Sequence, residues 1–151
     1  MKLILLRHAK SDWGDPMQED RDRPLNKRGR RDAPRIGAWL RARGHLPDRI
    51  LCSGAARTRE TRDRLGIEAE TLCLDALYLA DPETILKLVD EHAAPALMVI
   101  AHNPGIADVA DRLTDCDHPD FPRYPTGACT VIETDDGRCL DFAIPRELDI
   151  D

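Results

Sequence analysis

Short, wholly apolar runs along this chain alternate with longer stretches in which apolar residues recur at helical spacing. Lys2–Leu6, Arg49–Cys52, Thr71–Leu74 and Ala96–Ala101 read as strands, the first fully buried and the last (ALMVIA) the most strongly buried. Asn26–Arg43 reads as a helix with Ile36, Trp39 and Leu40 on one face and Gly44 as its stop; Pro34 inside it should kink it or mark a broken start. Ser53 is placed to cap a helix running to about Leu65. Asp81-Pro82 opens another helix, with proline at a favourable first position, and Pro104–Leu113 follows the ALMVIA strand as a further one. Residues 114–127 form a Pro-rich loop. Ala128–Thr134 and Arg138–Ile144 then alternate well enough to close the fold as a strand pair around the turn Asp135-Asp136-Gly137.

Strands alternating with helices predict an α/β fold with a mostly parallel sheet, made mixed by the closing pair. Without a repeat, low-complexity tract or linker, the 151 residues are expected to form one domain, 1–151. Without a long apolar run, and with Met1–Leu6 leading at once into Arg7 and His8, the expectation is a soluble cytoplasmic protein with no membrane partner. Five cysteines without a C-x-x-C pair favour reduced, mostly buried thiols over a disulfide framework or zinc site. Asp115, Asp117 and His118 likewise fit no standard metal spacing, so neither metal nor cofactor is expected.

The net charge of −6 divides into +8 over residues 1–64 and −14 over the remainder. Such a chain is a poor nucleic-acid binder overall, yet its first half can build a local anion pocket. Most of Arg28, Arg30, Arg31, Arg35, Arg41 and Arg43 read as the solvated face of one helix.

Candidate chemistry lies where strands end. Arg7 and His8 follow the first strand, Arg57 lies in the helix after the second, and His102 follows the fourth. Ligands of open α/β sheets bind beyond the carboxyl ends of the strands, so these segments can share one crevice. Guanidinium forks pair bidentately with phosphate oxygens, and a helix start adds free N–H groups. A neutral imidazole is a competent in-line nucleophile for phosphoryl transfer, while a second histidine, if protonated, can hold an equatorial oxygen.

The segments LILLRHAKSDW (3–13), DRPLNKRGRRDA (22–33), SGAARTRET (53–61) and VIAHNPGI (99–106) together resemble the histidine phosphatase superfamily, also called phosphoglycerate-mutase-like. The resemblance is closest to its small SixA-type branch of phosphohistidine phosphatases. It extends through FPRYPTGA near 121–128 and the closing strands. It implies a three-layer phosphoglycerate-mutase-like domain with helices on both sheet faces and a mechanism without a metal. It further implies that His8 accepts the phosphoryl group, that Arg7, Arg57 and His102 bind it, and that Arg23 of the R-P-L element is a further phosphate ligand.

Larger relatives carry an asparagine contact and a general acid that this chain lacks at the matching places. Gly14 stands at the asparagine position, and Ala76-Leu77-Tyr78 and His102-Asn103-Pro104 stand where the acid falls. Asp12, Asp22, Asp81 and Glu83 remain as loop candidates. An alkyl phosphate must expel an alkoxide without such an acid, whereas a phosphoimidazole can leave as neutral imidazole. The expected activity is therefore removal of phosphate from phosphohistidine in a protein partner. The alternatives are a phosphomonoesterase for a small phosphorylated metabolite and a non-catalytic phospholigand-binding module.

Overall fold

Adjacent residues of the same strand contribute to two different apolar clusters, which requires a sheet covered on both faces. The computed structural model, which describes residues 1–148, has that arrangement. β1 (Lys2–Arg7), β2 (Arg49–Ser53), β3 (Glu70–Leu74), β4 (Ala96–Ala101), β5 (Cys129–Glu133) and β6 (Arg138–Ala143) form one sheet in the order β3-β2-β4-β1-β5-β6. The β2–β3, β2–β4 and β1–β4 pairs are parallel; β1–β5 and β5–β6 are antiparallel, as the closing pair implied. Register brings the strand ends together: Arg7 lies opposite Ala101, and Cys52 opposite Ile100.

The helices are α1 (Lys27–Ala42), α2 (Ala56–Arg64), α3 (Pro82–Glu91) and α4 (Gly105–Leu113). Leu3, Leu5 and Val99 pack with Ile85 of α3 and Ile106 and Val109 of α4. On the opposite face Ile4, Leu6 and Ile100 pack with Ile36 and Leu40 of α1 and with Leu65 just after α2. Full burial of each such side chain stabilises the fold by about 1.5–3 kcal/mol. No helix among the described residues is long and apolar enough to cross a membrane.

Three local expectations change. α1 passes through Pro34 as one helix; the missing N–H costs a backbone bond, but buried Ala33, Ile36 and Leu40 hold the turns on either side. Ser53 does not cap α2, which starts later: Ala55 is its cap residue and supplies no side-chain bond. The reduced-thiol reading fails for Cys116 and Cys139, which form a disulfide because the loop after α4 returns to β6 with Cα atoms 5.6 Å apart. Cys52 and Cys129 are buried as expected, while Cys73 is exposed because β3 is an edge strand.

α1 also supports the segment that follows His8. The Asn26 side chain accepts from Gly29 N–H at 2.9 Å, and Asn26 N–H donates to the Lys10 carbonyl at 3.0 Å. A Cβ on Gly29 would collide with that same carbonyl. Gly29→Ala is expected to destabilise the protein by about 1–3 kcal/mol through forced backbone displacement. Urea denaturation checks this, and an unchanged midpoint would mean that α1 shifts without strain.

Candidate active site

Backbone hydrogen bonds seat the end of β1. Arg7 N–H donates to the Ala128 carbonyl at 3.0 Å and His8 N–H to the Ala101 carbonyl at 3.2 Å. Gly127 N–H, at a φ of 77°, reaches the Arg7 and His8 carbonyls at 3.1 and 2.9 Å. Arg7 donates from its guanidinium to the Tyr124 carbonyl at 3.2 Å, which also accepts from the Asn103 side chain at 2.9 Å. Tyr124 is fully buried, and its hydroxyl donates to the Leu5 carbonyl at 2.7 Å. The Pro-rich loop 114–127 therefore backs the strand end that carries Arg7 and His8.

α2 attaches from the other side. Its sequence ARTRETRDR has no apolar stripe, and the residues it buries are Arg57, Thr58 and Thr61. Thr61 Oγ1 accepts from Ala9 N–H at 3.0 Å and donates to the Arg57 carbonyl at 2.8 Å. Thr58 donates to the Ser53 carbonyl at 2.8 Å. A polar helix face is tolerated inside because its side chains are hydrogen-bonded.

Arg7, His8, Arg23, Arg57 and His102 line one cavity of about 300 Å³. All five residues singled out in the sequence thus converge. The His8 Nδ1 lies 2.7 Å from the Ala9 carbonyl, which can only accept. The neutral ring consequently carries its proton on Nδ1 and keeps the lone pair of Nε2. Burial lowers the His8 pKa to about 3, opposed by the Ala9 bond and reinforced by the nearby charges of Arg7 and Arg57. The His8 and His102 ring centroids are 5.4 Å apart. Burial, then the Arg57 charge, lowers His102 to about 4. The imidazolium considered for the second histidine does not fit this environment; His102 is neutral.

The cavity also holds a carboxylate that sequence reasoning passed over. Asp20 accepts from Arg57 at 3.0 Å and from Arg23 at 2.8 Å, and it accepts from the Tyr78 hydroxyl. Its backbone carbonyl accepts from Arg57 at 2.7 Å. Burial alone would raise the Asp20 pKa, but the bonds from Tyr78, Arg23 and Arg57 outweigh it and hold the carboxyl well below the usual carboxylate range. The Arg23 guanidinium stacks 3.3 Å from the Trp13 ring centroid and donates to Ser11 at 3.3 Å.

The four acid candidates are elsewhere. Asp12 accepts from Gly14 N–H at 2.7 Å, Asp81 caps α3 through Thr84 N–H at 2.8 Å, and Glu83 pairs with Arg112 at 2.7 Å. Neither these three nor Asp22 lines the cavity, where Asp20 is the one carboxylate among the described residues. Asp20 lies between stretches of regular pattern; the signal available in the sequence was its position three residues before Arg23.

The neutral histidines tie stability to pH. Both folded pKa values lie below the 6.5 of an ordinary histidine side chain, so the unfolded chain takes up protons first as pH falls. Their contribution is complete above about 6.5 and is lost between there and about 4 for His102, and about 3 for His8. The denaturation midpoint is expected to fall across this window, less steeply in His8→Asn. Equal slopes in the two proteins would contradict a buried neutral His8.

Fold and cavity together define an α/β protein with an arginine- and histidine-lined cavity at the carboxyl ends of its parallel strands. Residues 3–76 match the family model of the histidine phosphatase superfamily, branch 1. An Agrobacterium tumefaciens structure assigned as phosphohistidine phosphatase SixA is 32% identical over 95% of this chain and 98% of that one, with a TM-score of 0.87. A Nakamurella multipartitia structure with the same assignment is 31% identical over 95% of both chains, with a TM-score of 0.75. An uncharacterized protein of Mycobacterium leprae is 32% identical over 93% of this chain and all of its own length. The chain belongs to the histidine phosphatase superfamily, in its SixA-type branch.

Proposed function

We propose that the protein, as one domain over residues 1–151, is a phosphohistidine phosphatase that works through a phosphorylated His8. The observation that carries this reading is the hydrogen bond from His8 Nδ1 to the Ala9 carbonyl, which leaves Nε2 as the nucleophilic nitrogen in a cavity lined by Arg7, Arg57 and His102. Nε2 attacks phosphorus, the substrate P–N bond breaks with its electron pair going to the bridging nitrogen, and the imidazole, protonated beforehand on its other ring nitrogen, departs neutral. The positive charge of phosphorylated His8 is met by the Ala9 carbonyl. Water then attacks phosphorus, the His8 P–N bond breaks, and the proton lost by water passes to the released phosphate.

Arg7 and Arg57 each bury an Nε–H without a partner among the described residues, and a phosphoryl oxygen would supply the missing acceptors. Arg23 would be a further ligand through the guanidinium now bound to Asp20. The preference for P–N over P–O cleavage is supported by the ionised state of Asp20: a carboxylate tied to two guanidinium groups has no proton to give an alkoxide. A protein substrate is favoured over a small metabolite by the rim, where Trp13 and Leu79 stand exposed beside the cavity.

A substrate panel tests the reading. Phosphoramidate and a phosphohistidine protein are expected to be turned over faster than p-nitrophenyl phosphate, and with kcat/KM at least about 10²-fold above sugar phosphates, whose alkoxide leaving groups feel the missing acid. The reverse ranking would overturn it in favour of a phosphomonoesterase, and phosphate binding without turnover would leave a binding module.

A further inference from the structure

Ser53 ends β2 and is fully buried, yet it neither caps α2 nor packs in an apolar cluster. Its hydroxyl lies 2.7 Å from His102 Nε2 and 3.4 Å from Ala55 N. A serine hydroxyl has one hydrogen and two lone pairs, and Ala55 N–H can only donate, so it takes a lone pair. Among the described residues the hydroxyl has no other partner. Were the His102 proton on Nε2, it would take the second lone pair and leave the Ser53 hydrogen buried with no acceptor. With Nε2 unprotonated, the hydroxyl donates to it and every atom of the pair is satisfied.

The second arrangement puts the ring proton on Nδ1, and His102 Nδ1 is buried without a partner among the described residues. An N–H there is a donor awaiting an acceptor that the described residues do not provide. The ring stays neutral because burial and two guanidinium groups oppose a further positive charge. Thr58 fixes the hydroxyl's origin by donating to the Ser53 carbonyl at 2.8 Å.

We propose that Ser53 is a positioning residue: its hydroxyl donates to His102 Nε2, holds the neutral ring in the Nδ1–H tautomer, and so presents one N–H donor to a phosphoryl oxygen bound by Arg7 and Arg57. The identity of the acceptor rests on the phosphatase reading; the tautomer does not. Serine at the head of S-x-x-x-R-x-x-x-T thereby acts through the second histidine.

The test reads the tautomer directly. Long-range proton–nitrogen correlation spectra of the whole protein with ¹⁵N-labelled histidine, at neutral pH and without substrate, distinguish a pyridine-like from a pyrrole-like nitrogen. His102 signals are assigned by their loss in His102→Asn. The expected result is an unprotonated Nε2 and protonated Nδ1 in the wild type and in Ser53→Thr. Ser53→Ala should shift His102 to mixed tautomers and lower kcat on phosphoramidate roughly 10- to 100-fold, by analogy with the cost of losing the partner that orients a metal-binding histidine. Wild-type His102 protonated on Nε2, or Ser53→Ala with both the wild-type spectrum and wild-type kcat, would overturn the proposal. The wild-type spectrum decides the matter even if Ser53→Ala fails to fold. The expected tautomer in a protein that turns over no phosphorylated substrate would instead sink the phosphatase reading and leave the role of Ser53 standing.

Discussion

His8→Ala is expected to yield a folded protein whose phosphoramidate turnover is lower by about 10⁴-fold or more, the scale on which covalent mechanisms fail without their nucleophile. The fold should survive because, among the described residues, the ring makes one hydrogen bond, to the adjacent Ala9 carbonyl, and contributes to no apolar cluster. Its removal even relieves the burial of a titratable group. Arg7, Arg57 and His102 stay behind, so the variant should still bind inorganic phosphate. The decisive measurement is labelling: wild type quenched during turnover should carry an acid-labile, base-stable phosphate, and the variant none. Label persisting in His8→Ala would place the acceptor on another residue.

Arg57→Ala should cost about 10²–10³-fold in kcat/KM, or about 2.7–4 kcal/mol, by comparison with loss of a single transition-state donor. Two effects act in the same direction. The buried guanidinium that would meet an equatorial oxygen is gone, and Asp20 loses one of the cations now neutralising it. The carboxylate then faces the incoming phosphoryl group with Arg23 as its remaining arginine partner. Arg57→Lys should recover only part of the loss, because an ammonium group cannot reproduce the planar fork. A loss under tenfold in Arg57→Ala, with an unchanged melting temperature, would remove Arg57 from the site.

The apolar runs placed the strands to within a residue or two, since buried strands between helices need little beyond continuous hydrophobicity. The five cavity residues were also readable, four of them because a strand end or a helix start fixes where each emerges and Arg23 through its family motif. What escaped depends on pairing across distance. Asp20 belongs to the site only because Arg57, 37 positions away, reaches back to it. Cys116 and Cys139 meet through the path of a loop with no periodic signal. Ser53 was misread because serine before a helix is a common cap, whereas here β2 runs through it and delivers its hydroxyl to His102. Tyr124, in a segment dense with proline, became an internal post only once the loop folded over β1.

The spacing of α2 works as a ruler. Arg57 and Thr61 sit four residues apart, close to one helical turn, so a single helix presents a guanidinium to the cavity and a hydroxyl to Ala9 N–H. One residue inserted between them would swing whichever end is displaced by about 100° around the helix axis, uncoupling anion binding from the strand end that carries the nucleophile. Side chains on the outward face of α2 can be exchanged freely by comparison; the interval between those two cannot.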